Sequence, residues 1–206
     1  MTLSKFVKKH LGKYIKYNKW TDGYQCVDVI KGYLVEVFDF YKKYPHLEKT
    51  WAWGDARNWY EEYSSHPELT ANFKKIPNTP SFTPIAGDIL FWTEGHKFGH
   101  TALAYNSNST VSKIYSLDQN YPKGSKCKYC THRYATEGFL GVFRTKYRKI
   151  KNDVNVRTKP SMSGQIVDEY KKGEIVYIYE LDSTGKWARV GNNRWVSYAY
   201  ILEIGA

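Results

Sequence analysis

The order of two periodicities along the chain constrains the fold more than any other feature of the sequence. Between residues 22 and 44 apolar side chains recur every three or four positions, which is the spacing of a helix with one buried face. From residue 87 to residue 144 the pattern changes to short apolar runs separated by Gly, Asn and Ser turns, which is typical of antiparallel strands. Helices followed by antiparallel strands predict an α+β domain.

A second change of pattern separates the last quarter of the chain from the rest. Residues 153–206 contain only short alternating strands with close turns, so we predict a small all-β barrel there. Residues 147–152 are basic and polar, and we interpret them as a linker that follows a first domain at 1–146. Residues 64–84 are rich in Pro, Ser, Asn and Thr, and we predict that they form a connecting surface loop.

The chain is basic, with 31 Lys and Arg against 20 Asp and Glu, and the excess lies early. Residues 1–150 hold 23 Lys and Arg against 13 Asp and Glu, a balance of +10, whereas residues 151–206 hold 8 against 7, a balance of +1. Such a field favours a polyanionic partner: a nucleic acid, an anionic membrane or an anionic cell wall. We expect no nucleic-acid partner, because we find no zinc-finger, RNP-type or basic-helix motif.

Membrane insertion and a secretion signal are also not expected. No apolar run approaches membrane-spanning length, and residues 1–14 lack the apolar core and the small-residue cleavage site of a signal peptide. We therefore predict a chain that is made in a cytoplasm and stays there unless something else releases it.

Cys26 is the first candidate for chemistry, because the helical pattern places it at the first turn of the long helix, after a turn signal at residues 22–23. Unpaired backbone N–H groups and the helix dipole favour negative charge at that point, so a thiol ionises more readily there. A cysteine nucleophile needs this, since the thiolate is the attacking species. The alternative is a buried structural cysteine.

A cysteine nucleophile also needs a base, and the base needs a group that fixes its tautomer. His100 is our candidate base, since it opens a strand just after a glycine. Alternation places Asp118 and Asn120 on one face of the next strand, where either side chain can accept the second imidazole N–H. Three other histidines are predicted to lie in turn-like or surface contexts: His46, His66 and His132.

Cys127 and Cys130 form a Cys-x-x-Cys pair with a histidine close behind. One pair supplies half of a zinc site, and the fourth ligand would have to come from elsewhere in the chain. We favour a plain hairpin tip, with the cysteines reduced or disulfide-bonded, over structural zinc.

Four segments in the same order resemble the motifs of CHAP domains, the cysteine, histidine-dependent amidohydrolases/peptidases. The cysteine motif is residues 23–28 (GYQCVD), the histidine motif is 87–92 (GDILFW) with 99–102 (GHTA), and the acidic motif is 117–121 (LDQNY). Residues 53–56 (WGDA) are similar to the loop that lines the groove in that family. The tail, with Asn155, Val156, Arg157 and the turn at Pro160, resembles bacterial SH3 (SH3b) domains, and the pairing resembles phage endolysins.

The resemblance implies a papain-like fold and a role for each motif residue. Cys26 would be the nucleophile, His100 the base and Asp118 its orienting group, with Asn120 as polar support and Gln25 helping to bind the oxyanion. It also implies contacts to substrate or to the wall from a set of mainly aromatic positions: Tyr24, Trp53, Gly54, Trp92, Tyr179, Trp187 and Tyr200. For Trp53 a core position is an equal alternative, and for Trp187 a core position is favoured.

The implied activity is hydrolysis of an amide in the peptidoglycan of a Gram-positive cell wall, by a monomer without a cofactor. The bond remains open between the amide to the first alanine and a peptide bond. Some relatives bind calcium through carboxylates nine and seven residues before the cysteine, where this chain has Tyr17 and Lys19. Only Asp28, two residues after the cysteine, remains. We predict no metal, with Lys19 paired to Asp28.

Three alternatives stay open at this point. An NlpC/P60-type cysteine peptidase shares the order of Cys and His, although its cysteine motif usually continues Ser-Gly whereas this one continues Val27-Asp28. A non-catalytic wall-binding protein would need no intact Cys26 or His100. A nucleic-acid binder would explain the charge alone and predicts no dependence on the cysteine.

Overall fold

The computed structural model describes residues 1–17, 23–93, 97–133 and 138–202. The chain divides into two compact units, the first from Met1 to Arg144 and the second beginning at Thr145. Helices followed by antiparallel strands make up the first unit, and the second is built from strands. The prediction of an α+β domain followed by a small all-β domain is confirmed. Lys19 and Asp22, named above, lie outside the described residues, as does the end of the chain from residue 203.

The first unit contains six α-helices within the described ranges, and they precede nearly all of its strands. Their bounds are α1 (Leu3–His10), α2 (Cys26–Phe38), α3 (Phe40–Lys43), α4 (Leu47–Thr50), α5 (Ala56–Glu61) and α6 (Pro67–Asn72). None of the helices in these ranges has the length and apolar character needed to cross a bilayer.

Helix α2 begins at Cys26, as the sequence predicts, but it ends earlier than expected. At its start the Asp28 carboxylate accepts the Gln25 backbone N–H at 2.7 Å, which satisfies a donor that the helix itself leaves unpaired. At its end Asp39 adopts a left-handed conformation with φ of 55°, and its N–H donates to the Leu34 carbonyl. Aspartate tolerates this conformation better than most residues. The periodic stretch to residue 44 is therefore two helices.

The sheet of the first unit has six strands: β1 (Phe73–Pro77), β2 (Ile89–Trp92), β3 (His100–Leu103), β4 (Ile114–Asp118), β5 (Lys128–His132) and β6 (Phe139–Thr145). Their spatial order is β1-β6-β2-β3-β4-β5. In a flat sheet β2 and β5 would lie about 14 Å apart, three strand spacings. The rings of Trp92 on β2 and His132 on β5 are nevertheless only 4.5 Å apart. The sheet is therefore strongly curled, and side chains on its concave face meet across it.

The predicted surface loop at residues 64–84 is wrong in part, because it contains helix α6 and strand β1. Pro67 occupies the first turn of α6, where its missing N–H removes no helical hydrogen bond, so it starts the helix rather than breaking it. Phe73 follows directly and is fully buried. Proline and polar residues alone did not distinguish these short elements from a loop.

The second unit contains two sheets. Its strands are β7 (Tyr147–Ile150), β8 (Val154–Arg157), β9 (Ile166–Tyr170), β10 (Ile175–Tyr177), β11 (Glu180–Leu181), β12 (Trp187–Gly191), β13 (Arg194–Ser197) and β14 (Ile201–Leu202). One sheet has the order β10-β7-β14 and the other β11-β12-β13-β8-β9. Aliphatic side chains form the core between them: Ile150, Val154, Val156, Val176, Ala188, Val190 and Val196.

The predicted linker at residues 147–152 is also wrong, because Tyr147–Ile150 forms strand β7 in the middle of a sheet. Ile150 is buried in the core, and Arg148 is buried on the same face of the strand. The Arg148 guanidinium donates to the backbone carbonyls of Thr145 and Tyr147. Arginine counts as a polar residue, so an arginine at a buried position interrupts the apolar/polar alternation by which a strand is recognised in a sequence.

We predict that Gly141→Ala destabilises the first unit by about 3 kcal/mol or more, since overpacking and backbone strain add. A Cβ at this position would lie 2.2 Å from the Ile76 carbonyl oxygen, and the φ of Gly141 is +135°. Thermal unfolding of the purified protein measures the effect.

Gly12→Ala is the matched control, because Gly12 also has a positive φ, +77°, but no atom lies within 4 Å of the added Cβ. It should cost only about 1–2 kcal/mol. Equal losses for the two variants would contradict the steric explanation.

Candidate active site

Three elements of the first unit bring the candidate catalytic residues together. Cys26 is the first residue of α2, His100 opens β3 and Asp118 ends β4. Helix α2 packs against β3, and β3 pairs with β4 through Leu103 and Leu117. The helix therefore delivers the thiol to the sheet end where the imidazole and the carboxylate already lie side by side.

The side chains form a chain of contacts in the order expected for a cysteine nucleophile. The Cys26 side chain hydrogen-bonds His100. His100 Nε2 lies 2.7 Å from Asp118 Oδ2, which leaves Nδ1 as the ring nitrogen that can face the thiol. Asp118 is fully buried and His100 is 3% exposed, whereas Cys26 is only half-buried. Of the two predicted partners for His100, Asp118 is the one in contact.

The electrostatics favour a protonated His100 at neutral pH. Burial alone would lower the pKa of this imidazole, but the hydrogen bonds to Asp118 and Cys26 outweigh it and raise the pKa to about 10. Burial would likewise raise the pKa of Asp118, yet hydrogen bonds from His100 and His132 hold it well below its usual range. A buried carboxylate beside an imidazolium is the arrangement that stabilises an adjacent thiolate.

Gly99, the glycine that precedes His100, sets the position of that histidine. Its φ is +72°, and a Cβ would lie 2.8 Å from the Arg57 backbone nitrogen. The Arg57 N–H donates to the Phe98 carbonyl at 3.2 Å, so the start of α5 lies directly against the turn before β3. Only glycine fits both the backbone angle and the contact.

Gln25 and Asn120 are joined to each other rather than to His100. Asn120 Nδ2 donates to Gln25 Oε1 at 3.1 Å, and Asn120 Oδ1 accepts the Gly124 N–H at 2.6 Å. Asn120 has a φ of 62° just beyond the end of β4. The predicted polar support is therefore directed at the residue before the cysteine.

Sequence reasoning missed Gln119, which joins the two halves of the site. Its fully buried amide accepts the Ile15 N–H at 2.6 Å, donates to the Ile15 carbonyl at 2.9 Å and donates to the Gln25 carbonyl at 3.0 Å. The segment before Cys26 is thereby fixed to the end of β4. A signal was available, because Gln119 lies between two residues already predicted to be functional.

Sequence reasoning also misplaced His132, which was expected in a turn-like or surface context. His132 is the last residue of β5, is fully buried, and its Nε2 lies 2.8 Å from Asp118 Oδ2. Its ring packs against Trp92 at 4.5 Å and Tyr121 at 4.9 Å between centroids. The contact with Asp118 depends on the pairing of β5 with β4, which local sequence patterns do not reveal.

The predicted substrate contacts in the first unit have different surroundings. Trp92 is 1% exposed and lies behind the two histidines, so its assignment as a substrate contact is corrected to a core position. Trp53 is half-buried beside the buried pair Trp51 and Trp59, and Gly54 is exposed next to it. Tyr24 is 41% exposed, two residues before Cys26.

Tyr24 stacks on Tyr14, with ring centroids 4.2 Å apart and planes at 16°. In the second unit Tyr179 is 56% exposed and Tyr200 is 41% exposed, whereas Trp187 is half-buried in β12. Exposed aromatic side chains with one polar edge suit contacts to a polar polymer.

Cys127 and Cys130 do not form a hairpin tip, because Cys130 lies within β5 and Cys127 comes just before that strand. Neither forms a disulfide bond. Cys127 is fully buried, and burial raises the pKa of its thiol to about 12. The histidine that suggested a zinc site is the one bound to Asp118, and the group of possible metal ligands within the described ranges, His100, Asp118 and His132, includes neither cysteine.

The calcium site of some relatives does not fit the residues of this chain. Asp28 Oδ1 accepts the Tyr17 backbone N–H at 2.7 Å, and Asp28 Oδ2 accepts that of Gln25, also at 2.7 Å. Tyr17 replaces one of the expected carboxylates and hydrogen-bonds Glu36 through its hydroxyl. The predicted partner of Asp28, Lys19, lies outside the described residues. Asp28 therefore fixes the loop before Cys26 through backbone hydrogen bonds.

Comparison with known proteins identifies the families of the two parts of the chain. The family model for the CHAP domain matches residues 15–120, and that for the bacterial SH3 domain matches residues 152–201. The chain is 28% identical over 178 residues to endolysin PlyTW of Staphylococcus phage Twort, covering 79% of this chain and 34% of that protein. It thus spans about a third of the length of this curated relative.

Two solved structures are also similar. The endolysin LysIME-EF1 gives a TM-score of 0.48 at 25% identity, with 70% of this chain and 64% of that chain covered. Ly7917 gives a TM-score of 0.47 at 17% identity, with 100% of this chain and 99% of that chain covered.

We predict that His100 stays protonated to about pH 10. The substitution Asp118→Asn should lower the pKa of His100 towards or below the ordinary histidine value of about 6.5. The reason is that Asp118 supplies the charge and the hydrogen bond that oppose burial. Titration of the His100 ring signals by NMR measures both values.

His10 serves as an internal reference in the same spectra. It pairs with Glu36 at 2.9 Å, and burial lowers its pKa, so Asp118→Asn should leave its titration unchanged. A wild-type His100 that titrates near 6.5 would contradict the ion-pair description.

Proposed function

This chain belongs to the CHAP family and carries a bacterial SH3 domain, and from that premise we propose that it is a peptidoglycan hydrolase that cleaves an amide bond by cysteine-dependent catalysis. The observation that carries the proposal is the contact chain from Cys26 through His100 to the buried Asp118 carboxylate. A structural cysteine does not require a base held by a buried acid. The substrate is the peptidoglycan of a Gram-positive bacterium, cut as by an amidase or an endopeptidase.

Each side chain has a defined role in the proposed reaction. The Cys26 thiolate attacks the carbonyl carbon of the amide, and the tetrahedral intermediate collapses to a thioester as protonated His100 gives its proton to the leaving amine. Neutral His100 then takes a proton from water, whose oxygen attacks the thioester, and Cys26 is released. Asp118 stays ionised throughout and stabilises the imidazolium.

The start of α2 supplies the stabilisation of the oxyanion. Backbone N–H groups in the first turn of a helix have no helical partner and point towards its N-terminal end, where Cys26 lies. Gln25 is held beside them, because its Oε1 accepts a hydrogen bond from Asn120. We assign the Gln25 amide the role of an additional donor to the oxyanion.

The second unit is proposed to bind the wall and to hold the catalytic unit near its substrate. Tyr179 and Tyr200 are its exposed aromatic side chains among the predicted contacts. Arg189 lies 5.1 Å from the Tyr179 ring centroid, so the aromatic face is combined with a positive charge that suits an anionic polymer.

We propose that the protein acts as a monomer, with no membrane insertion and no nucleic-acid partner. It would reach the wall from the host cytoplasm after a separate lesion in the membrane. Catalysis is proposed to be independent of metal ions. The carboxylate oxygens of Asp28, the acidic residue that remains of the calcium-binding pattern, are used by backbone N–H groups.

We predict that Cys26→Ala abolishes lysis of Gram-positive cell walls, lowering the rate at least about a thousandfold because the nucleophile is lost. Loss of turbidity measures the rate, and mass spectrometry of the fragments identifies the bond. EDTA should leave wild-type lysis unchanged.

Cys130→Ala is the matched control, since Cys130 is a half-buried thiol outside the contact chain with His100. It should lyse walls as the wild type does. Lysis that persists in Cys26→Ala would overturn the catalytic assignment, and lysis that EDTA abolishes would overturn metal independence.

For the second unit we predict that Tyr179→Ala with Tyr200→Ala weakens binding to purified walls roughly tenfold, by loss of stacking area. Binding is measured by cosedimentation in the Cys26→Ala background, so that the walls stay intact. Met162→Ala is the control, because Met162 is 72% exposed in the same unit but offers no aromatic ring. Equal binding by all three proteins would exclude this surface.

A further inference from the structure

We propose that His132 is a positioning residue of the site: it donates a hydrogen bond to the same carboxylate oxygen of Asp118 that holds His100, and it thereby fixes that carboxylate for catalysis. The effect on catalysis rests on the proposed function. The structural part of the proposal, a His–Asp–His array, depends only on the geometry of the described residues.

Both imidazoles meet one oxygen atom. His100 Nε2 lies 2.7 Å and His132 Nε2 lies 2.8 Å from Asp118 Oδ2. Asp118 Oδ1 is buried and has no hydrogen-bond partner within the described ranges. Within the described ranges, both hydrogen bonds to this buried carboxylate therefore reach Oδ2, and His132 supplies one of the two.

The surroundings of His132 hold its ring in place. Trp92 and Tyr121 pack against it with centroid distances of 4.5 Å and 4.9 Å, and the same two rings contact His100 at 5.7 Å and 5.1 Å. The two histidines thus share their aromatic neighbours as well as their acceptor. A side chain that only filled space would need no acceptor at hydrogen-bond distance.

The cluster is explained by hydrogen bonds without a metal ion. The separations of 2.7 Å and 2.8 Å are those of N–H donors to a carboxylate. If both donors are Nε2–H groups, His132 carries its proton on Nε2 in its neutral form. Losing that donor leaves the buried carboxylate held only by His100, which must also serve Cys26.

The titratable groups that face Asp118 are His100 on β3, His132 on β5, Cys127 just before β5, and Cys26 on α2 through His100. Hydrogen bonds from both histidines lower the pKa of Asp118. Removing the His132 donor therefore destabilises the carboxylate and, with it, the imidazolium–thiolate pair. Cys26 would then be a less reactive nucleophile near neutral pH.

The test compares His132→Gln, whose amide can still donate, with His132→Met, which has similar length and no donor. Alkylation of Cys26 by iodoacetamide is followed against pH, with the modified peptide identified by mass spectrometry. We expect His132→Met to react roughly 10- to 100-fold more slowly near neutral pH, and His132→Gln to stay close to wild type.

His10→Gln and His10→Met form a matched control pair, because His10 is another buried histidine bonded to a carboxylate, Glu36. Neither should change the alkylation profile. If the two His132 variants gave the wild-type profile, or fell equally at equal thermal stability, the positioning role would be overturned.

A measurement on the wild type keeps the proposal testable if both variants fail to fold. Nitrogen-15 NMR of the histidine rings should show Nε2 of His132 protonated, and EDTA should change neither this signal nor the alkylation rate. An unprotonated Nε2, or a response to EDTA, would overturn the proposal. Absence of wall lysis by the wild type would instead overturn the proposed function, since alkylation and NMR need no substrate.

Discussion

The structure of the first unit depends on keeping one ionised carboxylate, Asp118, fully buried. A buried charge is costly unless hydrogen bonds and opposite charge compensate it. Two imidazoles do so here, and both must reach the same oxygen from different strands. The strand order makes that possible, because β3 and β5 flank β4, which carries Asp118. The curl of the sheet adds the packing of Trp92 from β2 against the His132 ring. Charge compensation therefore depends on the topology of the sheet, and the Cys26 thiol at the start of α2 contacts the His100 that this topology positions.

A second principle is that backbone hydrogen bonds to side chains hold the reacting segment in place. Gln119 joins the chain near Ile15 to Gln25, and Asn120 joins its own amide to the Gln25 side chain. Asp28 closes the same loop through two backbone N–H groups. The residues flanking Cys26 and Asp118 thus act as a joint between helix and sheet. Where some relatives place a cation near the cysteine, this chain uses direct contacts.

Features that depend on neighbouring residues in the chain could be predicted from the sequence. Predictions failed where contacts between residues far apart in the sequence determine the structure. Cys26 follows from helix periodicity and a turn signal, and the alternation of β4 directs Asp118 towards His100. The contact of His132 with Asp118 could not be predicted in this way, since it depends on the pairing of β5 with β4. Asp39 breaks a helix whose periodicity continues. Pro67 and Arg148 hid a helix and a strand, because a first-turn proline and a buried arginine both resemble loop residues.

The corrected boundary also changes where the positive charge lies. With the division after Arg144, the first unit holds 20 Lys and Arg against 13 Asp and Glu, a balance of +7, and the rest of the chain holds 11 against 7, a balance of +4. Counting the charge of the first part up to residue 150 had assigned Lys146, Arg148 and Lys149 to it. Both units are therefore cationic. Attraction to an anionic polymer is expected for each of them and is not a property of the first unit alone. Both units also expose aromatic rings: Tyr14, Tyr24, Phe98 and Tyr129 in the first, and Tyr179 and Tyr200 in the second. Because net charge alone attracts any polyanion, the proposed selectivity for a wall rests on such exposed rings rather than on charge.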